Sequence, residues 1–176
     1  TMFGPEHPRQ SGRAGLLGGA EGLDTGLPGF GPFGTAGHHC FDTTSPAFVR
    51  IAALNATRKA FPALRVGRQY QRPISNFSAP FGLPGAGELI AWSRILDDEE
   101  IVCVVNGHGR ERRGGDVLVD AKLNRRSGAA FQVIANSAQA ADPAFSGSHP
   151  IGARLPVKFR DGAAFIEIRD VNPSEI

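Results

Sequence analysis

The chain has 176 residues and a net charge of +2, from 19 basic and 17 acidic side chains, which excludes a strongly basic nucleic-acid tail and an acidic one. Hydrophobic residues make up 41% and charged residues 20%, enough apolar material for a core and too much for bulk disorder. Glycine (23) and proline (13) together are about a fifth of the chain, which argues against a helical bundle or coiled coil and for a turn-rich β fold, a long irregular arm, or both.

Residues 1–44 carry turn signals and little periodicity, and eleven of the 23 glycines fall between Gly4 and Gly37. The stretch from Gly26 to Gly37, with Pro28 and Pro32, suits neither a helix nor a central strand. Phe3, Phe30, Phe33 and Phe41 want burial, so this arm reads as a loop that packs on a surface rather than as a linker. Ser45–Pro46 is a helix start, with Ser at the N-cap and Pro at the first helical position. Phe48, Ile51, Ala52 and Leu54 form an apolar stripe, and Phe61–Pro62 stops the helix, which is expected over about 46–60.

From Gly67 onward the pattern is β. Glu88–Leu96 and Ile101–Val105 are apolar runs joined by a four-residue acidic link, Asp97–Glu100, and predict a hairpin. Asp116–Asp120 alternates as a strand, and Phe131–Ala135 is another candidate. Pro156–Arg160 and Ala163–Ile168 flank Asp161–Gly162, the sequence of a type I′ hairpin turn. These runs give roughly six or seven strands at short spacing with no helices between them, the pattern of an antiparallel β-sandwich.

No catalytic constellation stands out. Asp97, Asp98, Glu99 and Glu100 are a possible source of paired carboxylates, but a hairpin tip reads first as a solvated turn. His38, His39, Cys40 and Asp42 are close in sequence yet lack the ligand spacing of a tetrahedral zinc site, and no metal or cofactor is expected. Cys103 sits in an apolar run as a small buried hydrophobe, and the two cysteines read as reduced thiols. Arg110, Arg112, Arg113, Arg125 and Arg126 read as solvated loop residues, partly offset by Glu111, Asp116 and Asp120, so no nucleic-acid partner is expected. Trp92 in the alternating β pattern is expected in a core. No membrane partner is expected, since no run approaches the roughly 20 apolar residues of a span. A first residue Thr1 reads as a processed or truncated product, which leaves localisation open.

The ordered blocks SPAFVRIAALNATRKAFPALRVGRQYQR from Ser45, GELIAWSRILDDEEIVCVVN at 87–106, DVLVDAKLN at 116–124 and LPVKFRDGAAFIEIRDVNPSEI at 155–176 resemble the end of α-amylase-type glycoside hydrolases, the large family thirteen. Upstream, MFG at 2–4 and FGPFGTAGHHCFD at 30–42 resemble the loop between the eighth barrel strand and its helix. The resemblance implies three parts: an arm at 1–44 equivalent to the eighth βα loop, the last barrel helix at 45–62, and domain C, an antiparallel β-sandwich, at 63–176 without its last strand. It implies a missing (β/α)₈ barrel as intramolecular partner and an oligo- or polysaccharide as the parent's substrate. The nucleophile Asp, acid/base Glu and stabilising Asp of such enzymes would lie before Thr1, so no residue here is expected to be catalytic. Phe30, Phe33, His38 and His39 are the residues expected beside the sugar site, because βα loops form the active face of such barrels. A stand-alone carbohydrate-binding β-sandwich is the alternative.

Overall fold

The computed structural model describes residues 46–176 apart from 78, 143 and 174. The chain divides into two compact units, Thr1–Ala52 and Ala53–Ile176. Of the first, the described part is the opening of helix α1 (Pro46–Ala60). The arm at 1–44, with Phe30, Phe33, His38 and His39, and the N-cap Ser45 lie outside the described residues.

Helix α1 spans the expected residues. Arg58 and Lys59 lie in its last turn, where cations complement the helix dipole. Its end is closed by the Phe61 amide donating to the Thr57 carbonyl at 3.1 Å, and Pro62 follows. A single further turn, α2 (Ala63–Val66), leads into the sheets. At Gly67 the amide donates to the Ala63 carbonyl, and a Cβ here would stand 2.5 Å from that oxygen and 2.9 Å from the Ile95 carbonyl oxygen. The chain therefore turns from helix to strand at a point too tight for any side chain.

The remainder is mainly β and antiparallel. Strands β1 (Arg68–Arg72), β3 (Leu89–Leu96) and β4 (Glu99–Asn106) form one sheet in the order β1–β3–β4. Strands β2 (Ile74–Ser75), β5 (Arg113–Leu118), β9 (Ala163–Val171) and β8 (Lys158–Arg160) form a second, in the order β2–β5–β9–β8. Strands β6 (Ala130–Gln132) and β7 (Arg154–Pro156) pair by themselves, and the short helix α3 (Ser137–Ala141) lies between them in sequence. One apolar core joins the two larger sheets: Leu89 and Ala91 from β3 pack with Val117 of β5 and Ala164, Ile166 and Ile168 of β9.

Several expectations need correction. Nine strands are described rather than six or seven, because the polar run RQYQR becomes β1 by pairing with β3. The segment Pro156–Arg160 is not one strand: it breaks at Val157, with one part bonded to β6 and the other to β9. A helix, α3, does interrupt the strands; Asn136 caps it by accepting from the amides of Ala138 and Gln139. The acidic link is two residues long, not four. Asp97 and Asp98 make the turn, with Asp97 at φ 52°, while Glu99 and Glu100 belong to β4. The Asp161–Gly162 turn is as expected, with φ of 51° and 80°.

Candidate functional site

The alternation of β3 decides what its side chains meet. Leu89, Ala91 and Ser93 are buried on one face, and Ile90, Trp92 and Arg94 occupy the other. Trp92 is thus half-buried on the face away from the core cluster, opposite Gln71 and Cys103, a correction to its expected place in the core. The misplacement is one of phase: ELIAWSRIL is apolar on both faces at its centre, so alternation alone does not say which face is inner.

Glu100 is also not solvated. Its side chain is only 2% exposed and forms a 2.6 Å ion pair with Arg72. The same carboxylate accepts from the Ser93 hydroxyl, the Asp120 amide and the Asn124 side-chain amide at 2.8 Å. Arg72 Nε in turn donates to Ser93 Oγ at 2.6 Å. One carboxylate thereby ties β1, β3, β4 and the loop after β5 together, which is what a buried charge needs in order to persist.

A second carboxylate is held on the far face of the other sheet. Asp116 accepts from Arg160 at 2.9 Å and from Arg169 at 2.8 Å. Arg160 lies over the rings of Phe81 and Phe165, with its guanidinium carbon 4.8 and 5.0 Å from their centroids, and Arg169 lies 4.9 Å from the Phe77 centroid. Phe77 is exposed and sits at positive φ, on the rim of a shallow crevice with Arg113, Arg169 and Asp170. The side chain of Arg113 is engaged by the Gly87 carbonyl and Glu111. The loop arginines Arg110, Arg112, Arg125 and Arg126 are exposed, as expected.

An apolar groove of about 470 Å³ runs along β4. One flank carries Leu54, Phe61 and Leu64, the floor carries Ile166 and Ile168, and the opposite wall runs from Ala130 to Asn136. Cys103 lines it with a free thiol and is half-buried rather than fully buried. Burial pushes this thiol above its ordinary value, and the charge of Arg94 partly opposes the rise. At one end, Glu175 accepts from the Asn136 side-chain amide at 2.6 Å and from the amide and side chain of Asn172. His149 also lines the groove. Its Nε2 lies 3.0 Å from the Arg169 amide and 2.9 Å from the Arg169 carbonyl oxygen, and its Nδ1 is buried without a hydrogen-bond partner among the described residues.

Glu100 and Asp116 are each neutralised by arginine, and the groove is lined mainly by hydrocarbon. Among the described residues no three His, Cys, Asp or Glu side chains converge as a metal would require. The expected sugar-adjacent set Phe30, Phe33, His38 and His39, and the His38–Cys40 segment, fall outside the described residues. Sequence reasoning missed the buried roles of Glu100, Asn136 and Glu175. The usable signal for Glu100 was its place two positions beyond a two-residue turn, on the face shared with Ser93. Comparisons with protein-family models, with curated proteins and with solved structures found no match.

Proposed function

We propose that residues 63–176 form an antiparallel β-sandwich equivalent to domain C of an α-amylase-type glycoside hydrolase, and that its role is structural. The parent enzyme acts on α-glucosidic carbohydrate, and a (β/α)₈ barrel outside this sequence carries the chemistry. The observation that carries the reading is the order of parts. A helix of barrel-helix length is followed, through the tight Gly67 junction, by antiparallel sheets with one shared core.

Two further observations support it. Retaining glycosidases need a nucleophilic carboxylate and a second carboxyl group roughly 5–5.5 Å from it, one of them free to exchange a proton. The buried carboxylates Glu100 and Asp116 are instead locked in separate ion pairs with arginines. Helix α1 also presents Ile51 at 48% exposure, an apolar side chain suited to burial on barrel strands. A carbohydrate-binding module is the second reading, and the exposed ring of Phe77 beside its crevice is what favours it.

The coding sequence upstream of Thr1 tests the first reading: a (β/α)₈ barrel with its three acids is expected, and any other domain there overturns it. Maltooligosaccharide titration, followed by the intrinsic fluorescence of Trp92 and by chemical-shift changes at Phe77, separates the two. A flat response is expected of a structural domain. Saturable changes centred on Phe77 favour the binding module.

A further inference from the structure

We infer that the loop joining β4 to β5, residues 107–112, is a latch held shut by the neutral ring of His108. A second proton on that ring releases the loop and, with it, the arginine wall of the crevice beside Phe77.

The loop reads Gly-His-Gly-Arg-Glu-Arg and contains no helix or strand that would satisfy its main chain. Side chains satisfy it instead. His108 Nδ1 accepts from the Arg110 amide at 3.2 Å and from the Glu111 amide at 2.9 Å. Both partners are N–H donors, so Nδ1 carries no proton and the ring is neutral, with its hydrogen on Nε2. The residue before the loop ties its two ends. Asn106 Oδ1 accepts from the His108 amide at 2.9 Å, and Asn106 Nδ2 donates to the carbonyls of Glu111 and Val171, each at 2.9 Å. Asn106 is fully buried and is a fixed anchor, so the imidazole is the part of the fastening that can change.

A second proton has only one place to go. It must occupy Nδ1, whose lone pair is already shared by two amides. The ring would then aim an N–H at two other N–H groups, and both hydrogen bonds are lost. Histidine is the side chain that ordinarily changes charge between about pH 5 and 8. The direction is fixed by the chemistry: the latch is complete while the ring is neutral and is lost as falling pH charges it.

The neighbours of the ring do not replace the lost bonds. Gly87 lies against it: a Cβ there would stand 3.1 Å from His108 Cδ2 and 3.9 Å from an Arg113 guanidinium nitrogen. The charged groups around the ring are Arg110, Glu111 and Arg112 of its own loop, Arg113 from β5, Glu88 beside Gly87, and Asp170 beside Val171 of β9. Glu111 is taken up by Arg113 at 2.8 Å, and Glu88 by the Asn76 side chain and the Gly85 amide.

Release is felt at the crevice. Arg112 and Arg113 line it together with Phe77, Gly87, Arg169 and Asp170. Arg113 is held there by the Gly87 carbonyl at 2.7 Å and by Glu111. When Glu111 leaves with the loop, Arg113 loses one of these two partners, and Arg112 moves with the segment that carries it. The crevice therefore has its full cationic wall only while His108 is neutral.

The test follows the folded chain by NMR from about pH 8 to about pH 5, with the His108 Cε1–H shift reporting ring charge. Protection factors of the Arg110 and Glu111 amides, corrected for the intrinsic pH dependence of exchange, are expected to fall at least about tenfold as the ring charges. The amide of Val119, bonded to the Ala164 carbonyl at 2.9 Å, is the reference and keeps its protection. His108→Asn supplies an uncharged acceptor for the same two amides and is expected to keep the loop shut at both ends of the range. His108→Ala is expected to leave it open at both. Unchanged protection at Arg110 and Glu111 while the wild-type ring titrates overturns the inference. So does acid opening that persists in His108→Asn, because another group would then be the switch. A ring that stays neutral until Val119 also loses protection overturns it too, since the latch would then never open in the folded chain.

Discussion

The Arg72 guanidinium reaches over β3 to the Glu100 carboxylate at 2.6 Å, and only 11% and 2% of the two side chains remain exposed. Strands β1 and β4 are not neighbours, so this pair, with Ser93 beneath it, braces the sheet across its central strand.

Removing one member leaves the other charge stranded. Glu100→Ala or Arg72→Ala is expected to destabilise the fold by about 3–5 kcal/mol, while a well-packed apolar pair such as Arg72→Met with Glu100→Leu costs far less than either alone. Urea unfolding of the single and double variants checks this. Additive losses would show that the pair acts as two independent surface charges.

Leu89 is fully buried in the centre of the shared core. Leu89→Ala is expected to cost about 2–5 kcal/mol, by lost burial and by the cavity left behind. Calorimetry should show a lowered Tm, and a change within error would mean that the two sheets do not depend on this contact.

Gly162 has φ 80° in the β8–β9 turn, beside Asp161 at φ 51°. A Cβ at Gly162 meets no atom within 4 Å, so the cost of Gly162→Ala is conformational rather than steric. It is expected to be about 1–2 kcal/mol, whereas Asp161→Asn keeps a favoured turn pair and is expected to be nearly neutral. Denaturant midpoints of the two variants distinguish them.

Cys103 gives a pH dependence that can be tested. Its thiol is held above the ordinary value of 9.0, first by burial and against the opposing charge of Arg94. The unfolded thiol loses its proton first as pH rises, so this contribution to stability is complete below pH 9.0 and is lost as pH climbs through the folded value. Cys103→Ser should flatten the alkaline fall in stability. Thiol-reagent kinetics offer a second check, with slow labelling of the folded chain and fast labelling in denaturant.

Much of the fold was legible where backbone chemistry is local. Pro46 and Pro62 bound α1, and Asp161–Gly162 announces its hairpin, because each residue restricts its own φ or its neighbour's. What was not legible depends on partners distant in sequence. RQYQR has no apolar alternation and is a strand because β3 lies beside it. SAQAA is a helix because Asn136 caps it while Glu175, from the other end of the unit, holds Asn136 in place. Glu100 looks like a turn residue until Arg72, 28 positions away, is brought against it. The expected sugar-adjacent aromatics and histidines fall outside the described residues, and the groove along β4 gave no signal in the sequence because it is assembled from stretches far apart in the chain.

The Gly67 junction has a mechanical consequence. With the carbonyls of Ala63 and Ile95 standing where a side chain at Gly67 would be, the chain has no slack there to act as a hinge. Displacement of α2 is transmitted to the β1–β3 edge as to a single stiff body. A motion that separates helix from sheet has to begin elsewhere, and lengthening the connection here would uncouple the two where a softer substitution could not.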